Sequence, residues 1–492
     1  MDQIQGLLKE IGPGQMSNTA YDTAWIARLG EIDWNLSSKA LNWLCEHQLP
    51  DGSWGTEKPS YYHDRVISTL AAMIALTYRG RREKDKVQIE RGLIALDHIV
   101  TNASRGLTSN GFGAPAGFEL IVPTLVAEAE RLGIIQQQGD KILGRLSRLR
   151  ETKLSKLAGY RINRYITTAL SAELAGKDLK KMLDIENLQE NNGSVGNSPA
   201  ATAYFALDVS PGNESALRYL HSVVKDGGAP FVAPFEIFER LWILWNIMIT
   251  GALDANICMT MKPLLDYLES HWLRDRGIGF SSSFTPEDGD DTAVGFEILS
   301  YFGREVDIEA VLSYEENDHF RCFHLEANPS IDTNIHMLGA FKAAGFNRGH
   351  PLVEKVIKFI LQTRINENYW LDKWNVSPYY TTSHAIIQSR GYDDELCKQS
   401  IEWILNTQQL NGSWGFYGFP TAEETAYCIQ ALTIWEKYGG KVPKERIKQS
   451  SYWLKQNSHP PYPSLWIGKS LYCPELLVKA SIESALRLAG SY

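Results

Sequence analysis

An all-α fold is what this chain of 492 residues predicts. Three observations predict it. A glycine-containing turn recurs along the chain, an apolar run with helical spacing follows each copy, and Val and Ile clusters that could build a large sheet are few and broken by helix formers.

The first turn is QLPDGSWG at 48–55, followed by HDRVISTLAAMIAL. The second is LQENNGSVG at 188–196, followed by SPAATAYFAL, where Ser198-Pro199 reads as an N-cap and a proline at the first helical position. The third is RGIGF at 276–280, followed by GDDTAVGFEIL. The fourth is QLNGSWG at 409–415, followed by TAEETAYCIQAL, in which Thr421 and Glu424 have the spacing of a capping box. ALNWLCEHQL and IEWILNTQQL place apolar residues at helical spacing just ahead of the first and fourth turns. Each unit therefore reads as helix, turn, helix. Such pairs bury their apolar faces only by stacking on neighbours. A solenoid does this and so does a closed ring; periodicity alone does not separate them.

Hydrophobic residues make up 44% and charged residues 22%, the balance of a globular chain. A net charge of -9 argues against a nucleic-acid partner, which needs a concentrated basic face. The basic stretch RGRREKDK at 79–86 reads as a solvated loop or helix end. Fourteen Trp, 22 Tyr and 17 Phe fit either a large core or a wide cavity with aromatic walls. The six cysteines are scattered without a C-x-x-C pair, which argues against a disulfide framework or a structural zinc site and fits a reducing cytosol. The N-terminus MDQIQGLLKEIGPGQ lacks the pattern of a secretory leader, and no uncharged apolar run reaches bilayer length. A cytoplasmic protein without an integral membrane segment is the expectation.

The segment FTPEDGDDTAVGF at 284–296 carries the most chemistry. Glu287, Asp288, Asp290 and Asp291 fall within five residues, directly before an apolar helical run. One reading is a helix N-terminus decorated with carboxylates that offset the dipole. A calcium loop fails on spacing, since it wants Gly where Ala293 stands and an acid where Leu299 stands. The third reading is a Brønsted acid: crowded carboxyls in a low-dielectric site cannot all ionise, so one keeps its proton. Protonating an alkene needs such an acid in a dry cavity, with aromatic faces to stabilise the cation.

Here the chain resembles the class II terpene cyclases, and among them the class II diterpene cyclases of the copalyl diphosphate synthase type. DGDDTA at 288–293 matches the family signature D-x-D-D-T-A. YDTAWIARL at 21–29, DGSWG with DRVISTLAAMIAL, GFELIVPTLVAEAERLGI at 117–134, GGAPFVAPFEIFERLW at 227–242 and WLDKWNVSPYYTT at 370–382 also have counterparts, in order, over nearly the whole chain. The resemblance implies two α/α-barrel domains, β and γ, with γ inserted after the first helix of β. It places γ at 19–214 and β at 1–18 plus 215–492, with the active cavity between them.

By the same resemblance Asp290 is the proton donor, and Asp288 and Asp291 orient and polarise it. His336 falls near the position that hydrogen-bonds the donor, with Asn334 as the fallback. Glu119 matches the acidic residue linked to a Mg²⁺-bound diphosphate, and Lys153 and Lys373 match the lysines that hold the diphosphate. Arg161 and Arg164 are further candidates without a firm match. Phe323, Trp370, Tyr379, Tyr380 and Tyr417 are candidates to line the substrate path. Two departures matter. The His and Asn that hold the final base in plant ent-type enzymes align with Ser171 and Phe231. The nearest run to a class I D-D-x-x-D is YDDELC at 392–397, which lacks the last Asp. The expectation is an isomerase that cyclises geranylgeranyl diphosphate to a bicyclic diphosphate of copalyl/labdane, halimane or clerodane type. Farnesyl diphosphate or a prenylated aromatic are the alternative substrates, and a non-catalytic prenyl-binding scaffold is the alternative outside enzymes. The resemblance leaves room for a homodimer and for a downstream class I terpene synthase as partners.

Overall fold

The computed structural model describes residues 3–80, 82–102, 117–136, 138–143, 146–157, 159–177, 179–251, 253–326 and 328–490. Its inner helices close into two rings. In the first, Ala20–Ala27, Tyr62–Arg79, Phe118–Arg131, the 3-10 stretch Thr167–Ala175 and Pro199–Tyr204 each pack on the next, and the last returns to the first. In the second, the same holds for Glu236–Met248, Gly289–Tyr301, Ile331–Ala343, Pro378–Ser389, Ala422–Lys437 and Glu475–Ala489. Of the two shapes open to stacked helix pairs, the chain adopts the ring. The N-terminal helix Gln3–Glu10 packs on Ala255–His271 and Glu475–Ala489, on the outside of the second ring. One apolar core draws on residues 20–229, and two more draw on 293–489 and on 4–8 with 237–480.

The turns set how each inner helix enters. The indole N–H groups of Trp54, Trp370 and Trp414 donate to the carbonyls of Leu44, Ile360 and Ile404, each at 2.8 Å and each ten residues upstream. All three indoles are fully buried, so their one polar atom is satisfied while the ring fills the gap between two helices. Ser198 caps its helix by accepting the Ala201 amide, with Pro199 at the first helical position. Thr421 caps the last turn unit by accepting the Glu424 amide at 3.0 Å. The reciprocal half of the expected capping box differs. The Thr421 amide goes to the Trp414 carbonyl at 3.0 Å. The Glu424 carboxyl instead collects the Thr421 and Ser377 hydroxyls at 2.8 and 2.6 Å and the Phe416 amide at 3.0 Å.

The second ring holds two turn units beyond those read from the sequence, at 315–320 and 365–370. Neither contains a glycine. In the latter the left-handed positions are filled by Asn366 and Glu367, with φ of 47° and 60°.

Two short antiparallel pairs complete the described structure. Asn18–Thr19 pairs with Ala229–Pro230, and Trp466–Ile467 pairs with Leu471–Tyr472. The second hairpin crosses to the first ring, where the Leu471 amide donates to Asp64 Oδ1 at 3.0 Å. All six cysteines are free. Among the described residues no helix is long and apolar enough to cross a membrane.

Candidate active site

Four inner helices of the second ring repeat one device. A hydroxyl or amide oxygen in the first turn accepts the amide of the turn residue that precedes it. Thr292 accepts Ile278 at 3.0 Å, Asn334 accepts Phe320 at 2.8 Å, Thr382 accepts Trp370 at 3.1 Å and Thr425 accepts Trp414 at 3.1 Å. The anchor fixes a common level on each helix. Two residues before it stand Asp290, Asp332, Tyr380 and Glu423; two after it stand Val294, His336, His384 and Tyr427. Members of the two sets lie four residues apart on each helix, so each pair shares a face. Asn334, the fallback partner for the donor, is consumed by this anchoring. It also donates to the Phe320 and Ser330 carbonyls at 2.9 and 2.8 Å.

Asp288 is the N-cap of Gly289–Tyr301. Its Oδ1 accepts the amides of Asp290 and Asp291 at 3.0 and 2.8 Å. Burial pushes its carboxyl up to about 7, against the pull of those amides. Asp291 is held well above the carboxylate range, by burial first and by Asp288 beside it second. Asp332 is raised in the same way, by burial and then by Asp372 and Asp290. The neighbourhood of Asp290 is thus poor in ionised carboxylates.

Asp290 Oδ1 lies 2.7 Å from His336 Nδ1. The side chain of Asp290 keeps 11% of its surface accessible, whereas His336 keeps 1%. The carboxyl is therefore gripped from one side and open on another. Rings surround this pair. Trp242 meets His336 edge-on at 5.7 Å and donates its indole N–H to Tyr380 Oη at 2.9 Å. Phe238 stacks on Trp242 at 4.3 Å, and Trp466 meets Tyr380 at 4.9 Å. The other aromatic candidates divide. Trp370 anchors a turn, and Tyr379 stacks on Trp403 at 4.8 Å, so both serve packing. Tyr380 belongs to the site.

The candidate anion-binding residues are found in ion pairs. Glu119 stands in the first turn of Phe118–Arg131 and pairs with Lys153 of Leu146–Lys156. Lys373, in the loop before Pro378–Ser389, pairs with Glu326 and donates to the Asn328 carbonyl at 2.9 Å. Burial is the largest single influence on the Lys373 ammonium and disfavours it, but the acidic groups around it, Glu326 first and then Cys322 and Asp372, together outweigh burial and raise the pKa. Tyr160, seven residues after Lys153, meets His324, two residues before Glu326, edge-on at 6.5 Å. The segment that follows Lys153 therefore meets the segment that carries Glu326, the partner of Lys373, at the junction of the rings. Arg161 is exposed, and Arg164 donates to Tyr165 Oη at 3.2 Å. Ser171 and Phe231 offer no imidazole or amide. Phe231 packs against Tyr472 at 6.0 Å and leaves no room for a Cβ at Gly468.

Two residues escape a reading of local sequence. Glu326, in HLEANPS, looks like a solvated loop carboxylate. His384 would have been found by aligning the turn units on their anchors, because it occupies in its helix the place of His336 in the preceding one. Its Nδ1 lies 2.8 Å from His336 Nε2.

A family model described as the squalene-hopene cyclase C-terminal domain matches residues 322–428. A type B diterpene cyclase of Mycobacterium tuberculosis is 51% identical over 495 residues, covering 99% of both chains. Copalyl diphosphate synthase 2 of Selaginella moellendorffii is 30% identical over 77% of this chain and 50% of its own length. Among solved structures, the ent-copalyl diphosphate synthase from Streptomyces platensis superposes with a TM-score of 0.80 over 99% of each chain at 24% identity. The fold, the buried aspartate cluster and the identity across the full length of the mycobacterial protein lead to one conclusion: the chain belongs to the class II diterpene cyclases.

Proposed function

We propose that this enzyme protonates the terminal alkene of geranylgeranyl diphosphate from Asp290 and closes two rings, leaving a bicyclic diphosphate. The observation that carries the proposal is the Asp290–His336 contact at 2.7 Å, with the carboxyl open on its other side. Oδ1 is held by the imidazole, which leaves Oδ2 to deliver the proton. Asp291, held well above the ordinary range, keeps its proton, and Asp288, pushed up to about 7, is only partly ionised near neutrality, so the negative charge that would hold back the Asp290 proton is reduced. The faces of Trp242, Tyr380 and Trp466 suit a tertiary carbocation, which they stabilise without a nucleophile that would trap it.

Lys153 and Lys373 are the proposed diphosphate holders, each paired with a carboxylate that an incoming diphosphate would exchange for its own oxygens. Among the described residues no three His, Cys, Asp or Glu side chains group so as to hold a metal by themselves. Glu119 fits a Mg²⁺ that arrives with the diphosphate, because Mg²⁺ is commonly held by one or two carboxylates together with phosphate oxygens and water. When bound, the ion neutralises the diphosphate. We assign γ to 19–214 and β to 1–18 plus 215–492, supported by the two rings and by the packing of Gln3–Glu10 on the second.

The test incubates the purified enzyme with geranylgeranyl or farnesyl diphosphate, treats the products with phosphatase and identifies the alcohols by mass spectrometry. The expected result is a bicyclic C20 alcohol, lost by at least about a hundredfold in Asp290→Asn. Undiminished turnover by a folded Asp290→Asn variant would sink the donor assignment.

A further inference from the structure

We propose that His384 is a positioning residue: it donates its Nδ1 proton to His336 Nε2 and holds His336 in the tautomer that leaves the acid proton of Asp290 facing the substrate. The inference rests on Asp290 being the donor. It follows from counting protons along a buried chain of three groups.

His336 is fully buried, and both of its ring nitrogens are engaged. Nδ1 faces Asp290 Oδ1 at 2.7 Å and Nε2 faces His384 Nδ1 at 2.8 Å. A neutral imidazole has one N–H. If that proton sits on Nε2, it goes to His384 and leaves Nδ1 bare. A bare Nδ1 beside a carboxylic acid draws the acid proton toward the ring and away from the alkene. If the proton sits on Nδ1, it goes to Asp290 Oδ1 and the acid proton stays on Oδ2. Nε2 is then bare and needs a donor, and the group in reach is His384 Nδ1. The second arrangement satisfies both contacts of His336 and leaves the acid aimed outward.

His384 has the surroundings for this task. Burial, and then His336, hold its pKa well below the ordinary imidazole value, so it is neutral and carries a single proton. Its ring is fixed by stacking on Trp245 at 4.5 Å, by Tyr380 at 4.3 Å and by the edge of Tyr427 at 6.1 Å. The titratable groups around the histidine pair come from two neighbouring helices and their own two. Gly289–Tyr301 supplies Asp290 and Glu297, Ile331–Ala343 supplies Asp332, Pro378–Ser389 supplies Tyr380 and Ala422–Lys437 supplies Tyr427. Glu297 is occupied by Trp245 Nε1 at 3.1 Å and Gln388 Nε2 at 2.7 Å. The Trp245 that stacks on His384 is thereby tied to the helix that bears the acid.

The experiment has two arms. Nitrogen-15 histidine NMR on the intact wild-type enzyme, assigned with His384 and His336 variants, reads the tautomers directly. A protonated Nδ1 and bare Nε2 on both rings supports the inference; a protonated Nε2 on His336 overturns it. The kinetic arm compares His384→Phe, His384→Asn and Asp290→Asn for kcat, KM and the pH profile of kcat. His384→Phe is expected to lose kcat by roughly ten- to hundredfold with KM little changed, as for other groups that orient a reacting side chain. It is also expected to alter the pH profile. His384→Asn returns an N–H to the δ position and is expected to recover most of the rate. Asp290→Asn inactive with His384→Phe fully active and its pH profile unaltered overturns the inference alone. Asp290→Asn active overturns the donor assignment beneath it.

Discussion

Lys469 and Glu173 lie 2.6 Å apart across the junction of the two rings, with 1% and 0% of their side chains exposed. The lysine also donates to Ser198 Oγ at 2.8 Å, and Tyr21 Oη donates to the same Glu173 oxygen at 2.8 Å. Removing one partner of a buried pair leaves the other charge stranded, which costs about 3–5 kcal/mol. Lys469→Met is therefore expected to lower the Tm of the whole chain and Glu173→Gln to do the same. The double variant is expected to recover much of the loss, because no charge is left unpaired. Thermal melts of the four proteins decide this; a Lys469→Met protein as stable as wild type counts against the pair as a clamp.

The diphosphate lysines give a second expectation. Lys373 is tied to Glu326 and Lys153 to Glu119 in the free enzyme. Lys373→Ala and Lys153→Ala are each expected to raise KM by about tenfold or more while leaving the folded state intact, since charge-assisted bonds to phosphate contribute roughly 1.5–3 kcal/mol. Glu326→Gln is expected to act differently. It releases Lys373 and is expected to lower KM. An unchanged KM in both lysine variants would place the diphosphate elsewhere.

How much of this was legible in the chain depends on distance along it. DGDDTA is local, so the acid cluster and its helix could be read directly, as could the caps at Ser198 and Thr421. The turn at 365–370 could not, because Asn366 and Glu367 do in left-handed backbone what glycine does in the four copies that could be read. Trp370 and Tyr379 read equally as cavity lining or as plain core, because an aromatic beside a turn carries no mark of which way it packs. Lys469 and Glu173 are 296 residues apart, and neither neighbourhood announces a buried charge. His384 is an intermediate case: nothing around it is distinctive, yet its place relative to Thr382 repeats that of His336 relative to Asn334.

That repeat is itself testable. Thr292 accepts the Ile278 amide at 3.0 Å and donates back to the Ile278 carbonyl at 3.1 Å, which pins the acid-bearing helix to its turn. Thr292→Val has nearly the same shape and leaves a buried amide unsatisfied, at a cost of about 1–3 kcal/mol. The same change at Thr425, whose helix carries no aspartate cluster, is expected to cost comparable stability and little activity. Thr292→Val is expected to lose both. Equal activity in the two variants would show that the anchor's role is packing alone.

The last expectation concerns pH. Asp22 is fully buried, and burial pushes its carboxyl up to about 7, although Lys469 and the Thr19 hydroxyl pull the other way. The unfolded chain has an ordinary carboxyl near 3.9. Between those two values the folded state binds a proton that the unfolded state does not, so stability falls as pH rises. The contribution is fully present below the unfolded value and is lost as pH passes through about 7. Asp288 and Glu423, also pushed up to about 7 by burial, act in the same direction. The Tm is therefore expected to be higher at pH 6 than at pH 8. Asp22→Asn keeps one oxygen for the Thr19 hydroxyl, which donates at 2.7 Å, and cannot ionise. It is expected to flatten the pH dependence by raising the Tm at pH 8 more than at pH 6. A variant whose Tm falls with pH as steeply as wild type would mean that Asp22 keeps its charge in the fold, with Lys469 rather than burial deciding its state.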